Sequence, residues 1–373
     1  MIKFNKPSIT EKEKHNVLEA MDGTNILSGD GKFTTKIYQQ FEERFGIKNM
    51  LLTTSGTTAL EMASILINLE PGDEVITPSF TFSSTVNAFL LRGAKPVFCD
   101  IREDTFNIDE NLIEGLITPK TKAIYAVDYA GFPCEMDKIN EIANKYGLFV
   151  IEDAAQAVGS TYKGRYAGTL TEFGCYSFHE TKNYVMGEGG AIVVNEDKYM
   201  ERAEIIREKG TNRRNVLRGL VDKYTWHDIG SSFLPSDVLA AILSAQMDRY
   251  EEIFEKRMNV WNTYYNGLKD LEDKGYYLPA DIEHNAHMFC IVLPSEEKRT
   301  HLINKLKEKG IASYICYVPL HSAPYGLKLG YTPEMLPVTE DLAKRILRLP
   351  LYVDMTSEDA MYVVDSIKEV LKG

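Results

Sequence analysis

Short apolar runs alternate with helical patterns between residues 74 and 151, and this alternation constrains the fold more than any other feature of the chain. The predicted elements are, in order, a strand at 74–78, a helix at 83–91, a strand at 96–100, a helix at 110–116, a strand at 123–127, a helix at 136–146 and a strand at 148–151. The strands are continuously apolar, which is typical of a parallel sheet that helices cover on both faces. We therefore predict an α/β fold with a mostly parallel sheet and right-handed crossovers.

The chain has 373 residues, which is long enough for two domains, and its pattern changes after Pro235. One long helix is predicted from 236 to 268. The C-terminal elements predicted after it are strands at 290–293 and 312–317 and helices at 299–309 and 358–371. We expect a large domain over residues 1–245, which includes an N-terminal helix, and a smaller domain over residues 246–373.

Charge and composition exclude several classes of function. The formal net charge is −12, whereas general nucleic-acid binding needs a basic face. No apolar run reaches membrane-spanning length, and the N-terminus lacks the apolar core of a signal peptide. The five cysteines are scattered without a CxxC pair, which argues against a disulfide framework or a zinc site and suits a reducing compartment. We expect a cytoplasmic protein that binds small molecules and has no metal, nucleic-acid or membrane partner.

Residues 49–66 form a pattern that suits phosphate binding. They indicate a short strand, a loop of small residues that contains Ser55, Gly56 and Thr57, and then a helix. Free backbone N–H groups and the positive end of the helix dipole favour an anion at such a junction. A plain helix N-cap explains the same residue types, because Ser and Thr are preferred there.

Further polar and aromatic residues follow the predicted strands, where ligands of parallel sheets bind. Phe82 follows the strand at 74–78, and Asp153 follows the strand at 148–151. Lys182 comes after an apolar run and before the glycine-rich stretch 187–190, so it lies at the mouth of a hairpin-like connection. Taken alone, Lys182 has two interpretations: a solvated loop residue or an amine that captures a carbonyl carbon.

These groups together suit a planar, phosphorylated, cationic heterocycle that carries an aldehyde, and pyridoxal 5′-phosphate (PLP) has those properties. Lys182 would bond to the aldehyde carbon, and Asp153 would keep a proton on the pyridine nitrogen. The other expected contacts are Phe82 stacked on the ring, Gln156 at the ring oxygen, and Gly56, Thr57 and Ser177 around the phosphate. A structural role explains each of these residues singly, but one ligand explains all of them.

Several segments resemble the sugar-nucleotide aminotransferase family often called DegT/DnrJ/StrS, within the fold-type I PLP enzymes. The matching segments occur in the family's order and spacing at 27–29, 55–57, 78–82, 152–156, 177–183 and 187–190. The resemblance implies a large PLP-binding domain with a mostly parallel seven-stranded sheet flanked by helices, and a smaller α+β C-terminal domain. It also implies a homodimer whose subunits share their active sites.

A narrower resemblance is carried by residues 178–184, 207–213, 222–226, 228–232 and 285–289. It implies transfer of the amino group of L-glutamate to C4 of dTDP-4-dehydro-6-deoxy-D-glucose. The products would be dTDP-4-amino-4,6-dideoxy-D-galactose and 2-oxoglutarate, for bacterial surface polysaccharide synthesis. Many family members have asparagine near Ser232 and arginine near Leu234, and the narrower group shares the serine version. We therefore include Ser232 as a cofactor contact that crosses between subunits.

Candidate substrate contacts are Leu27, Ser28, Tyr129, Arg213 and His321. Arg213 belongs to a basic run that could face a diphosphate, although a solvated charge run has the same pattern. His321 could touch substrate or serve as a satisfied structural histidine. The segment 348–352 is interpreted as packing.

Three other functions share most of these features. Amination at C3, or of another nucleotide-linked keto-sugar, uses the same cofactor chemistry. A PLP-dependent sugar dehydratase is disfavoured, because that branch of the family has histidine in place of the lysine. A non-catalytic PLP or sugar-nucleotide binder has no need of both Lys182 and Asp153.

Overall fold

The computed structural model describes residues 1–23, 26–274 and 283–372, and the side chains of 272–274 are left out of the description. Within this part of the chain the strands are β1 (Met50–Thr53), β2 (Glu74–Pro78), β3 (Lys95–Cys99), β4 (Thr121–Val127), β5 (Phe149–Asp153), β6 (Thr161–Tyr162), β7 (Arg165–Tyr166), β8 (Phe173–Ser177), β9 (Gly190–Val194), β10 (Phe289–Val292) and β11 (Ile346–Leu349).

The α-helices of the same residues are α1 (Glu11–Ala20), α2 (Lys32–Phe45), α3 (Gly56–Leu66), α4 (Ser83–Leu90), α5 (Glu110–Leu116), α6 (Met136–Tyr146), α7 (Met200–Arg207), α8 (Arg213–Leu217), α9 (Asp237–Asp248), α10 (Tyr250–Leu268), α11 (Glu296–Glu308), α12 (Pro324–Lys328), α13 (Pro337–Arg345) and α14 (Ser357–Lys372). Short 3₁₀ turns lie at Tyr129–Gly131, Asp197–Tyr199, Lys269–Lys274 and Pro333–Met335.

Seven strands form one sheet in the order β1-β9-β8-β5-β4-β2-β3. The pairs β2–β3, β2–β4, β4–β5 and β5–β8 are parallel, and β9 is antiparallel to both β1 and β8. Two strands that are each antiparallel to β9 run in the same direction, so β1, β8 and the other parallel strands end at one edge. The prediction of an α/β fold with a mostly parallel seven-stranded sheet is confirmed.

Helices cover both faces of this sheet. In β4, Ala123 and Tyr125 belong to one apolar core with residues of α3 and α4, whereas Ile124 and Ala126 belong to another with residues of α5 and α6. Successive side chains of a strand point to opposite faces, so both faces of β4 must be apolar. This is the physical reason for the continuously apolar strand pattern.

The predicted helix over 236–268 is wrong as a single element, because it breaks at Arg249. This residue has φ −109° and ψ 20°, and it separates α9 from α10. Its guanidinium forms ion pairs with Glu13 (2.8 Å) and Glu252 (3.0 Å). Helix α9 packs on α1 and α2, whereas α10 packs on α14. The change of direction lets one continuous stretch of sequence complete two separate cores.

The C-terminal elements surround an apolar core of their own, in which β10 and β11 pair in antiparallel fashion. Ile2 also belongs to this core, and it forms a parallel bridge with Ile311. The strand predicted at 312–317 is wrong, since only Tyr314 pairs there, by exchanging both backbone hydrogen bonds with Arg348. The domain division between residues 245 and 246 stays a prediction.

A buried pair of carboxyl groups, Asp128 and Glu152, lies where β4 and β5 end. The Cys134 N–H donates to Asp128 Oδ1 (2.9 Å), and the Leu170 N–H donates to Glu152 Oε2 (3.1 Å). Burial raises the pKa of Asp128 well above its usual range, and the neighbouring Glu152 raises it further. Burial also raises the pKa of Glu152 to about 7. The folded chain therefore holds a proton on this pair that the unfolded chain releases at lower pH.

The stabilisation from this proton is complete below the unfolded carboxyl pKa of about 4 and is lost as pH rises through about 7. Glu152→Gln keeps a neutral side chain of the same shape. The unaltered protein loses this stabilisation as pH rises from 4.5 to 7.5, whereas the variant does not. We therefore expect the free energy of unfolding of the variant to rise, relative to that of the unaltered protein, by on the order of 1 kcal/mol over this range. Denaturant unfolding across this range measures the difference. Glu141→Gln, at an exposed carboxylate paired with Lys138, is the control; parallel pH curves for both variants would contradict the prediction.

Candidate active site

A cavity of about 490 Å³ lies at the carboxyl edge of the sheet. Its wall combines the β1–α3 junction, the start of α4, the end of β5 and the loop after β8 with residues from both chain ends. The predicted residues that line it are Gly56, Thr57, Phe82, Asp153, Gln156, Ser177 and Lys182. The structure thus brings together seven of the eight predicted cofactor contacts.

Lys182 is presented by a loop that backbone hydrogen bonds hold at both ends. The Phe178 N–H donates to the Gly189 carbonyl (2.8 Å), and the Glu180 N–H donates to the Gly187 carbonyl (2.9 Å). The Lys182 N–H closes a turn on the His179 carbonyl (2.8 Å). The glycines that follow the lysine in the sequence therefore complete a closed loop whose tip carries the amine.

Asn183 anchors this loop to the C-terminal part of the chain. Its side-chain amide donates to the Asn285 carbonyl (2.7 Å), and its Oδ1 lies 3.0 Å from His287 Nδ1. The Asn285 amide in turn donates to the carbonyls of Gln156 (2.8 Å) and Val158 (3.0 Å). The lysine loop, the segment after β5 and residues 285–287 are consequently held in one polar network.

Asp153 and Lys182 are the opposite charges of the cavity. The Thr85 hydroxyl donates to Asp153 Oδ2 (2.7 Å), and the Ala155 N–H donates to Asp153 Oδ1 (3.2 Å). Burial raises the pKa of Asp153, and these hydrogen bonds and the charge of Lys182 oppose that rise. Burial lowers the pKa of Lys182 to about 8, against the pull of Asp153. A neutral amine is therefore accessible near neutral pH.

The N-terminus of α3 presents backbone N–H groups at the cavity wall. Ser55 and Thr58 make a capping box, in which the Thr58 N–H donates to Ser55 Oγ (3.1 Å) and the Ser55 N–H donates to Thr58 Oγ1 (3.0 Å). In the described part of the chain, the N–H groups of Gly56 and Thr57 have no acceptor. A Cβ at Gly56 would lie 2.8 Å from Ser177 Cβ, so only glycine leaves this space open. The residues present fit a phosphate group.

Two remaining cofactor candidates, Phe82 and Gln156, line the same cavity. Thr57 Oγ1 lies 2.7 Å from Ser84 Oγ at the start of α4. Phe82 precedes that helix and stays 58% exposed, with its ring centre 6.2 Å from that of Tyr317. Gln156 accepts from the Ala130 N–H (2.7 Å) and donates to the Tyr317 hydroxyl (2.9 Å). An aromatic face is therefore available to stack on a ring.

Four predicted residues near the chain surface lie outside this cavity. Leu27 and Ser28 are exposed, and the Leu27 carbonyl accepts from the Asp237 N–H (3.1 Å). Arg213 pairs with Glu208 (3.4 Å), and Ser232 is exposed beside the same glutamate. Their roles toward the cofactor or substrate stay predictions, and a second subunit would be needed to bring them to a site.

Tyr129 and His321 are buried and also lie outside the cavity wall. The Tyr129 hydroxyl donates to the Cys316 carbonyl (2.8 Å). His321 Nδ1 lies 2.6 Å from Ser79 Oγ, and its Nε2 lies 3.4 Å from Glu340 Oε1. Both ring nitrogens of His321 therefore have protein partners, which favours the interpretation of a structural histidine.

The cavity wall also includes residues that the sequence did not predict there, among them Phe4, Asn5, His287, Cys316, Tyr317 and Arg348. They come from remote parts of the sequence, and tertiary packing alone brings them together. The segment 285–289, which contains His287, gave a local signal. The interpretation of Arg348 as packing is corrected, because the residue lines the cavity.

Comparison with known proteins identifies the family. Residues 7–368 match the DegT/DnrJ/EryC1/StrS aminotransferase family. The chain is 33% identical to GDP-perosamine synthase of Escherichia coli O157:H7, over 98% of this chain and 97% of that protein. It is 32% identical to the spore coat polysaccharide biosynthesis protein SpsC of Bacillus subtilis, over 99% and 97% of the two chains.

Solved structures agree with this assignment. The putative sugar aminotransferase Spr1654 of Streptococcus pneumoniae, in its PMP form, superposes with a TM-score of 0.92 at 26% identity, over 100% of this chain and 99% of that one. PseC of Helicobacter pylori, an aminotransferase of pseudoaminic acid biosynthesis, gives a TM-score of 0.90 at 25% identity, over 100% and 99%.

The chain belongs to the DegT/DnrJ/EryC1/StrS aminotransferase family, and it is a PLP-dependent aminotransferase. The predictions of family, enzyme class and cofactor are confirmed. Among the described residues, no helix has both the length and the apolar character needed to cross a membrane.

Gly56→Ala tests the phosphate site. The added methyl group would press on Ser177, so we expect PLP to bind roughly tenfold more weakly, which corresponds to about 1.4 kcal/mol. Titration of the apoprotein with PLP, followed by absorbance, measures the dissociation constant. Gly115→Ala is the matched control, because a Cβ there meets open space. Equal PLP affinity in the two variants would remove Gly56 from the cofactor site.

Proposed function

We propose that this aminotransferase transfers the amino group of L-glutamate to C4 of dTDP-4-dehydro-6-deoxy-D-glucose. The products are dTDP-4-amino-4,6-dideoxy-D-galactose and 2-oxoglutarate, for the synthesis of a surface polysaccharide. The observation that carries amino transfer is that Lys182 and Asp153 line one cavity at the sheet edge, where their opposite charges interact. The choice of sugar is supported by the sequence around Lys182 and by the segments 207–213 and 222–232.

Bound PLP supplies an aldehyde carbon and an electron-withdrawing ring. The side chains of Asp153 and Lys182 serve that chemistry in different ways. Asp153 is oriented by Thr85 and Ala155, so its carboxylate can hold a proton at the pyridine nitrogen. Lys182 has a pKa of about 8 because of burial, so its amine can accept a proton from the donor's α-carbon near neutral pH and later return it.

The surroundings of these two residues favour the same roles. The pKa of His287 lies well below its ordinary value, chiefly because of burial and then because of the charge of Lys182. His287 is therefore neutral and leaves Asp153 as the counter-charge to the lysine. The network through Asn183 holds the lysine loop in place at the cavity wall.

The proposed reaction is tested with the holoenzyme, L-glutamate and dTDP-4-dehydro-6-deoxy-D-glucose. We expect one 2-oxoglutarate for each amino-sugar, with NMR placing the amine at C4 in the galactose configuration. Lys182→Ala removes the proton-transfer amine, so its turnover should fall by a factor of 10² or more. An amine at C3, or a Lys182→Ala variant with undiminished turnover, would contradict the assignment.

A GDP-linked keto-sugar is the second candidate acceptor. Two relatives with 33% identity are named GDP-perosamine synthase, one from Escherichia coli O157:H7 and one from Caulobacter vibrioides. The same assay with a GDP-linked 4-keto-6-deoxy sugar distinguishes the two. If the GDP-linked substrate turns over faster, the proposed acceptor becomes a GDP-linked keto-sugar, and the proposal of amino transfer still holds.

We further propose that the enzyme is a homodimer. The region 213–231 carries apolar side chains that stay exposed in one chain: Leu217 and Leu220 are each 68% exposed, Tyr224 61% and Trp226 81%. Clustered exposed apolar residues favour a protein interface. Arg213 and Ser232 flank this region, so pairing through it would carry them toward a second subunit.

Light scattering tests the interface. The unaltered protein is expected at twice the mass of one chain, and Trp226→Asp should weaken the dimer at least tenfold, because a charge would be buried against the partner. Leu112→Asp on α5, where the leucine is 45% exposed, is the control. A monomeric unaltered protein would contradict the dimer, whereas a Trp226→Asp variant that dimerises normally would place the interface elsewhere.

A further inference from the structure

One arginine of the cavity wall forms no ion pair with the described carboxylates. In the part of the chain that the structure describes, the arginines form ion pairs with Asp or Glu except for Arg92, Arg257 and Arg348. The Arg257 guanidinium is buried and donates to the carbonyls of Ala286 and His287. Arg348 is the one of these three that lines the cavity.

Arg348 is held in place from several sides. Its backbone pairs with Cys290 in β10 and exchanges hydrogen bonds with Tyr314 (2.8 and 3.2 Å). The guanidinium lies over the ring of Phe4, 4.7 Å from its centre, and Phe4 packs edge-on against Tyr314 at 4.7 Å. The position of Phe4 is fixed in turn by Ile2, whose N–H donates to the Gly310 carbonyl (2.8 Å). The side chain is therefore preorganised before any ligand arrives.

Arg348 and Lys182 both line this cavity. The pKa of Lys182 is lowered chiefly by burial, and the positive charge of Arg348 lowers it further. The same charge acts on His287 and Cys316. The backbone N–H groups that suit the cofactor phosphate belong instead to the start of α3, a separate part of the wall. Arg348 thus offers a second anion site on the side of Lys182.

We propose that Arg348 binds a carboxylate of the amino-acid donor through paired hydrogen bonds and thereby positions the donor's α-carbon at Lys182. This role rests on the proposed transfer from L-glutamate. A guanidinium presents parallel N–H groups that match the two oxygens of a carboxylate, whereas the keto-sugar ring has no such group. Arg348 therefore acts in the donor half of the reaction and leaves the affinity for the nucleotide unchanged.

Binding of glutarate and of dTDP to the PLP holoenzyme, measured by calorimetry, tests this role without turnover. Arg348→Gln should bind glutarate roughly ten- to a hundredfold more weakly, the loss expected for a charge-assisted pair, and should bind dTDP normally. Arg348→Lys keeps the charge but loses the paired N–H groups, so its affinity for glutarate should lie between those of Arg348→Gln and the unaltered protein. Arg92→Gln, which removes an arginine outside the cavity, should match the unaltered protein.

The change in cofactor absorbance on adding L-glutamate provides a second readout. Arg348→Gln should need roughly ten- to a hundredfold more glutamate for the half-maximal rate, with the aminated form still reacting normally with the keto-sugar. Equal glutarate affinity in Arg348→Gln and the unaltered protein overturns the donor site, as does a loss confined to dTDP. The unaltered protein could also bind glutarate through Arg348 without reacting with glutamate. That result would exclude glutamate as the donor in the proposed function, but it would still support Arg348 as a carboxylate-binding residue.

Discussion

The partial burial of Lys182 at the sheet edge is the constraint on which the rest of the site depends. Burial penalises the charged forms of both Lys182 and Asp153, and each charge partly compensates for the burial of the other. The sheet makes this arrangement reachable, because β5 ends at Asp153 and its parallel neighbour β8 ends five residues before Lys182. The parallel pairing of β5 and β8 therefore brings Asp153 and the start of the lysine loop to the same edge of the sheet.

The loop that carries Lys182 needs support from outside the sheet, since a buried cation on a loose loop would move back toward water. Asn183 provides it by engaging Asn285 and His287 from the C-terminal part of the chain. Asn285 also ties that part to the segment after β5. The C-terminal elements are consequently part of the catalytic framework, because they hold the lysine loop and supply the wall opposite the sheet.

Sequence patterns predicted the sheet and its cofactor edge because those features depend on local rules. Apolar runs mark strands that are covered on both faces, and Gly56 stands where only glycine fits beside Ser177. The helix breaks at Arg249 because α9 and α10 pack on elements that lie far apart in the sequence. The helical pattern of the residues is uninterrupted there, so the sequence alone could not reveal the break. Arg348 was taken for packing for the same reason, because its surroundings, Phe4 and Cys316, come from distant segments.

The cavity holds its two anion sites by different physical means, and the difference suits a cofactor that stays while substrates alternate. Gly56 and Thr57 offer backbone N–H groups and a helix dipole, which are fixed and would hold the phosphate of PLP through both halves of the reaction. Arg348 carries a full charge, but it is only partly buried and rests on the Phe4 ring. Water and the aromatic face can stabilise that charge when the donor has left, so an acceptor without a carboxylate can enter beside it. One cavity can thus accept an amino acid and a keto-sugar in turn without leaving a buried charge unpaired in either half of the reaction.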